Sequence, residues 1–482
     1  MNGQMTRRDM MRAVGAAGMG MWAGCSTAGA GARAGGRWYR GNLHMHTYWS
    51  DGRALPEQAI ETYKRLGYDF IGLSDHNVFA DDAACWRAVE DKEKGWPPVV
   101  TRPIFDAYMK AFGAEAETRT VAGKTQVRLK TYEEMRRRFE SPGSFLLMPA
   151  VEITQHLKTD GVQVHMNYLN LPDVIPFVKG GPMNRRVDEE GADVTGLIRR
   201  DVQEVAALAA RLRRRTMLML NHPQWIYWDI QPRHVIENAD VRFFEICNGG
   251  SAFAPHPDAL KVTNDRFWDT INAFRCLKGA PLLYGVGSDD THHYINCTPD
   301  QRLADAWIMV RSAALNADAL LAAMDAGDYY ASTGVLLDDV AFDPSSRTLR
   351  VSVQPAPGTT YRIRFITTRR GFDTGVRRSR DAAPARCRCT QTTSGAPRSS
   401  LKGRRRPTAW PPTTSTCAPR SSPACPAATR ATSIPTSRWP GRSLGGDLRE
   451  PRRPDARRCR CRRTASAPTG AVCPRRGCPG SR

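Results

Sequence analysis

Six short apolar runs in this chain carry a histidine or a carboxylic acid at one end, in six separate segments. The first run, 38–44, leads into His44-Met45-His46, and two-residue alternation puts both imidazoles on one face of a strand. Asp51 follows in Ser50-Asp51-Gly52. His76 closes the run at 70–74 as Ser74-Asp75-His76-Asn77, and Glu152 closes Pro149-Ala150-Val151. His165 opens Val164-His165-Met166-Asn167, and His222 ends Leu218-Met219-Leu220-Asn221. Asp290 and His292 close the series in Gly287-Ser288-Asp289-Asp290-Thr291-His292-His293. A lone histidine on an apolar strand is ordinarily a satisfied core residue. Six strand ends that each deliver histidine or carboxylate point instead to a shared destination.

The runs at 38–44, 70–74, 145–153, 165–169, 216–221, 243–246 and 282–287 read as strands. Helical patterns at 56–66, 195–213, 265–276 and 317–324 lie among them, the first with Pro56 at a helix start, where its missing N–H is harmless. Strand–helix alternation argues for an α/β domain with a parallel sheet, open or closed. In a closed sheet of this kind the strand C-termini converge on one mouth. The charged stretch 81–141 is long for a connection and reads as an inserted helical cap or lid. From 335 to 367 the pattern becomes two-residue alternation (Leu349, Val351, Val353, then Tyr361, Ile363, Phe365), the start of a small all-β module.

Imidazoles with Asp and Glu suit Zn, Mn or Fe rather than copper thiolate chemistry. The order HxH, Asp, SDHN, Glu, His, HP and DxH resembles the polymerase and histidinol phosphatase (PHP) superfamily of metal-dependent phosphoesterases over residues 37–335. That resemblance implies a distorted (β/α)7 barrel and up to three divalent ions. It implies that His44, His46, Glu152 and Asp290 hold the first ion. Glu152 would bridge to a second ion shared with His165 and His222, and Asp51, His76 and His292 would hold the third. It further implies hydrolysis of a phosphomonoester or phosphodiester by a metal-bridging hydroxide, with Glu152, Asp290 and His292 as the catalytic residues. A metallohydrolase of amidohydrolase type and a non-catalytic metal-binding domain are the competing readings. Asp75 either orients a liganding imidazole or caps the following turn. Arg53 either meets a phosphate or is solvated, and His293, Tyr294, Trp225 and Trp228 either line a pocket or pack. His156, His234 and His256 read as surface residues.

The formal charge of +22 does not describe this domain. Residues 375–482 hold 25 of the 70 Lys+Arg and 4 of the 48 Asp+Glu, which places +21 there and leaves the rest near neutrality. Nucleic acid is therefore not an expected partner; a small phosphate ester is. Of those 25 basic residues all but Lys402 are Arg, set among Pro, Ser, Thr, Ala and eight of the 13 Cys. Translation of a GC-rich gene in a shifted frame yields such a mixture; the rival reading is a disordered basic tail that binds polyanions. Residues 336–374 would then be a partial β module. At the other end, Arg7-Arg8 ahead of an apolar Gly/Ala-rich stretch reads as an export signal over 1–36 that engages the twin-arginine machinery. Trp22-Ala23-Gly24-Cys25 resembles a lipobox, which implies membrane attachment through a lipidated Cys25; cleavage near Ala28-Gly29-Ala30 is the alternative. Either places the mature protein in the periplasm or otherwise outside the cytoplasm.

Overall fold

The computed structural model describes residues 36–368 except 96–97, 159–160, 224–229, 250–261 and 296–302, all within the first of two compact units, Met1–Pro435. The export segment with Cys25, the tail from Gly375, and Trp225, Trp228, His256 and Cys297 lie outside the described residues. Among the described residues no helix is long and apolar enough to cross a membrane.

Strand β1 (Arg37–Asn42), helix α1 (Pro56–Arg65) and β2 (Phe70–Leu73) open the domain. An insertion follows with β3 (Trp86–Glu90), β4 (Val100–Thr101), α2 (Arg102–Phe112), β5 (Thr118–Val121), β6 (Lys124–Arg128) and α3 (Tyr132–Phe139). The main sheet resumes with β7 (Leu146–Leu157), β8 (Gln163–Leu169) and β9 (Arg185–Val187). Next come α4 (Val194–Leu212), β10 (Met217–Leu220), α5 (Pro232–Ile236), β11 (Phe243–Asn248), α6 (Asn264–Lys278) and β12 (Tyr284–Ser288). β13 (Trp307–Ser312), α7 (Ala317–Asp325), β14 (Tyr329–Ser332), β15 (Leu337–Asp343) and β16 (Thr348–Val353) complete the order.

Seven strands run side by side as β1-β2-β7-β8-β10-β11-β12. They close into a barrel just past the strand ends, where Asp290 N donates to His44 O and His46 N donates to Thr291 O, both at 2.9 Å. β13 and β14 extend the sheet from β1 in antiparallel fashion. Helix starts follow the sequence: Pro56 sits in the first turn of α1, and Gln58 Oε1 accepts from Leu55 N at 3.0 Å. Asp193 caps α4 by accepting from Gly196 N at 2.7 Å.

The interior is stratified. Met148 and Ala150 of β7, Leu169 of β8, Met217 and Met219 of β10, Phe243 of β11 and Val286 of β12 belong to one buried apolar cluster, with Leu320, Leu321 and Met324 of α7. Two residues nearer the mouth, forward along the parallel strands and backward along β8, the same face turns polar: Glu152, Asn167, Asn221, Glu245 and Ser288, all buried. Alternate positions face outward and join the larger core, for example Leu147 and Val151, Tyr168, Leu220 and Phe244. The barrel thus has an apolar floor and a buried polar storey above it.

Several expectations are corrected by these elements. β8 runs antiparallel to both neighbours, because β7 and β8 form a hairpin with only a short connection and no crossover helix. The insertion is not a helical cap: it holds a four-stranded sheet, β4-β3-β6-β5, as well as two helices. Its strands are charged and partly exposed, so they lack the apolar runs that mark the barrel strands. Beyond the barrel, β15 and β16 form a hairpin, whereas residues 361–365 are not strand. His234 is also buried rather than on the surface, and His156 is partly buried beside Asn184 Oδ1 at 2.8 Å.

Candidate metal centre

Every one of the nine candidate ligands reaches the barrel mouth. Glu152 stands at the centre and is fully buried. Its Oε2 lies 3.1 Å from His44 Nε2, 3.2 Å from His46 Nε2 and 3.1 Å from His76 Nδ1. Its Oε1 lies 3.0 Å from His165 Nδ1 and 3.7 Å from His222 Nε2. Asp290 Oδ1 approaches His46 Nε2 at 3.0 Å and His44 Nε2 at 3.2 Å, while its Oδ2 is 3.6 Å from His222 Nε2. Asp51 joins His76 and His292 at 3.4 and 3.3 Å. The His46 ring is stacked between those of His76 and His292, with centroids 4.3 and 4.2 Å away.

Four overlapping groups bring their ligand atoms within 4.8 Å of one another: His46, Asp51, His76 and His292; His44, His222 and Asp290; His44, His46 and Glu152; His76, Glu152 and His165. The partition implied by family resemblance differs in detail. His222 falls with His44 and Asp290 rather than with His165, and His46 and His76 each serve two groups.

Local backbone chemistry sets these positions. Gly52 packs its Cα against the backbone of His46; a Cβ there would sit 2.3 Å from the His46 carbonyl, so only glycine lets the Asp51 loop close. Asp75 caps this turn: Oδ1 accepts from Thr47 N at 2.8 Å, Ser50 N at 3.1 Å and Ser50 Oγ at 2.6 Å. Asp75 thus caps the Thr47–Ser50 turn, earlier in the chain, rather than the turn that follows it. Asn77, at φ 52°, clamps β7 by accepting from Thr154 N and donating to Thr154 O. Thr154 Oγ1 in turn meets His76 Nδ1 at 2.5 Å. Asp290 has φ 54° and His222 φ 21°, left-handed conformations of the kind that concentrate at functional sites. Tyr294 is a packing residue whose hydroxyl donates to His46 O at 2.7 Å, and Arg53 is engaged by Asp51 O and Glu93. His293 is partly buried beside them.

Sequence reasoning missed Glu245, Asn221, Asn167, Gln163, Asn248 and Ser288. Glu245 Oε1 lies 2.8 Å from His44 Nδ1. Asn221 Nδ2 donates to Glu152 Oε1 at 2.8 Å, and Gln163 Oε1 meets His165 Nε2 at 3.0 Å. The signal was present in the two-residue period for Gln163 and Asn167 of β8, Asn221 just past β10, Glu245 of β11 and Ser288 of β12, whereas Asn248 faces inward only through the register shift between Glu245 and Cys247.

Electrostatics test whether cations fit. Burial opposes the charged form of every group here, but the charges are mutually dependent. For His46 burial is outweighed by hydrogen bonds to Asp290 and Glu152, which raise the imidazole to about 10. His44 is likewise raised against burial by Asp290, Glu152 and Glu245. Burial pushes His76 down to about 4 and His222 well below the usual range. Glu152, Asp290 and Asp51 stay ionised despite burial, held down by the histidines around them. The carboxylates therefore draw positive charge onto His44 and His46 as protons. Divalent ions would supply that charge and release those protons, so the donor set fits them.

No family model and no curated protein matches the chain. Among solved structures it is similar to a two-domain protein from Bacteroides vulgatus, described as containing a predicted PHP-like metal-dependent phosphoesterase. The identity is 16% and the TM-score 0.34, covering 64% of this chain and 74% of that one. A protein from Bifidobacterium adolescentis, assigned by inference as a metal-dependent phosphoesterase, overlaps at 13% identity and TM-score 0.28, covering 54% and 89%. An amidohydrolase from Chromobacterium violaceum, with bound sulfate and no metal, overlaps at 12% identity and TM-score 0.27, covering 52% and 87%.

Proposed function

We propose that this chain is a divalent-metal-dependent hydrolase of the PHP type whose substrate is a phosphate ester. The observation that carries the reading is the convergence on Glu152 of five histidines from four segments, with Asp290 and Asp51 beside them. Glu152, shared by two donor groups, would bridge two ions; His46, Asp51, His76 and His292 would hold a third. Ions held there would activate water and neutralise charge on the phosphoryl group.

The chain's own residues do the positioning. Asn221 fixes Glu152 Oε1, Thr154 fixes His76, and Gln163 fixes His165. Hydroxyls near the centre are committed to structure: Ser50 donates to Asp75, and Ser288 to Glu245. Neither is set up as a nucleophile, which favours direct attack by water. Among the described ligand side chains His292 is the most exposed, at 29%, while Glu152 is fully buried. Three divalent ions against the carboxylates of Asp51, Glu152 and Asp290 would leave surplus positive charge, which suits a phosphate group better than a neutral amide. By the same reading the twin-arginine segment would deliver a folded, loaded enzyme outside the cytoplasm, on a lipid anchor if Cys25 is modified.

The test is elemental analysis of purified protein, followed by assays with phosphomonoesters, phosphodiesters, cyclic nucleotides and a panel of amides and lactones. Bound metal with phosphate-ester turnover that Glu152→Ala abolishes is the expected result. Turnover restricted to amides or lactones would replace it with an amidohydrolase reading, and wild-type turnover in Glu152→Ala would refute it.

A further inference from the structure

One donor group, His44, His222 and Asp290, is tied together by a residue that belongs to none of the four groups. Glu245 is fully buried on β11. Its Oε1 faces His44 Nδ1 at 2.8 Å and accepts from Ser288 Oγ at 2.6 Å. Its Oε2 accepts from the backbone N–H of His222 at 2.8 Å and from Asn248 Nδ2 at 3.2 Å. The same Asn248 amide donates to Asp290 Oδ2 at 3.0 Å. One carboxylate therefore reaches all three members: an imidazole directly, a second through its main chain, and the aspartate through one amide.

We infer that Glu245 is a positioning residue that sets the affinity of the ion held by His44, His222 and Asp290. This rests on the metal-dependent reading above. Ser288 Oγ, the His222 N–H and Asn248 Nδ2 all donate to Glu245, whose oxygens thus act as acceptors, so His44 Nδ1 carries the proton that it shares with Glu245. When His44 gives up its extra proton to serve as a ligand, Nε2 is the nitrogen that offers a lone pair, and it is the one that points at Glu152 Oε2 and Asp290 Oδ1, 3.1 and 3.2 Å away. A carboxylate behind the ring locks its orientation and raises its basicity as a ligand. Glu245 is not itself a ligand. Its two oxygens already face four donors (His44, Ser288, the His222 amide and Asn248), about as many as a carboxylate's lone pairs accommodate. The grip on the His222 amide matters separately, because that residue holds φ 21° and would otherwise relax.

The experiment measures stepwise Mn(II) and Zn(II) affinities of the full chain by competition with a chelator, with stoichiometry from elemental analysis and the Co(II) visible spectrum as a geometric readout. Glu245→Gln is expected to weaken one ion about 10–100-fold, change the Co(II) spectrum and leave the remaining ions in place. Glu245→Asp, which keeps the charge, is expected to fall between it and wild type. Asn248→Ala is partly exposed and keeps Glu245, so it tests the link to Asp290 should Glu245→Gln fail to fold; it is expected to weaken the same ion. Folded Glu245→Gln, or in its place Asn248→Ala, with every affinity and the Co(II) spectrum unchanged would overturn the inference. A lower melting temperature of the metal-free protein with unchanged affinities would do so as well, since that is what a purely structural role gives. Wild-type protein that binds no ion would bring down the metal-dependent reading itself, and this inference with it.

Discussion

Asp289 and Asp290 are chain neighbours whose carboxylates serve opposite sides of the β12 end. Asp290 turns into the centre, 3.0 Å from His46 Nε2. Asp289 turns away and accepts the backbone N–H groups of Ala304, Asp305 and Ala306 at 2.9–3.0 Å, with the Tyr63 hydroxyl at 2.7 Å. Asp290 itself holds a positive φ of 54°.

That divergence predicts a clean split between two conservative substitutions. Asp290→Asn removes a ligand and is expected to abolish metal-dependent turnover while the metal-free fold survives, since it deletes a buried charge. Asp289→Asn sets an amide donor against backbone donors and is expected to cost about 1–3 kcal/mol of stability with the ligands still present. Thermal melts of both metal-free proteins and elemental analysis of both loaded ones check it; equal effects on both readouts would show that the two carboxylates are not divided this way.

Metal removal should be visible as stability. Ligands that bind only the folded state stabilise it by mass action, about 2.7 kcal/mol at a free concentration 100 times Kd. Wild-type protein treated with chelator is therefore expected to melt several degrees lower, and to recover on adding back Zn or Mn. Glu152→Gln, which removes the shared carboxylate, is expected to show almost no chelator-dependent shift in calorimetry.

Acid should loosen the insertion ahead of the barrel strands it decorates. Arg128 is buried and donates to Glu117 Oε2 at 2.7 Å and to Glu134 Oε2 at 3.1 Å. Those bonds hold both carboxyls down at about 2. Folded values below the unfolded ones mean the stabilisation is present above about pH 4.5 and is lost as pH falls through about 2. Both glutamates are partly exposed, so solvent screens part of the effect. Amide exchange in β3, β5 and β6 is expected to accelerate between those limits. Arg128→Met should already show fast exchange at pH 7 and little further change on acidification.

The barrel was legible because its strands are buried on both faces and so read as continuous apolar runs. Strand direction was not, since an apolar run looks the same whichever way it lies; β8 shows this. Nor was the insertion's sheet, where β5 (Thr118–Val121) is exposed along its whole length and carries no apolar signal. The ligands were legible as strand-end residues, and the DxH spacing selected Asp290 over Asp289. Glu245 was not recognised because Cys247 and Asn248 follow it on the same strand, which hid the strand end. Its inward parity with Phe243 was the clue. Asn221 and Asn167 were passed over for being neutral, although buried carboxylates and imidazoles require such partners.

The insertion also grips the loop that carries Asp51, and this leads to the last prediction. Arg87 of β3 donates from Nε to Tyr48 O at 3.0 Å and from Nη2 to Trp49 O at 3.4 Å, and Trp49 Nε1 donates to Lys130 O at 3.0 Å. From inside the barrel, Asp75 holds the same turn through Thr47 and Ser50. Asp51 is thus placed by two clamps, and only the inner one touches the rest of the centre. Arg87→Ala removes the outer clamp, so it is expected to weaken the ion at His46, Asp51, His76 and His292 several-fold and to leave the ions around Glu152 unchanged. Asp75→Asn, which converts an acceptor facing four donor groups into a mixed donor and acceptor, should weaken that ion further and lower stability too. Stepwise metal titration of both variants distinguishes the clamps. Equal loss of every ion in Arg87→Ala would mean that the insertion supports the barrel as a whole and not this loop.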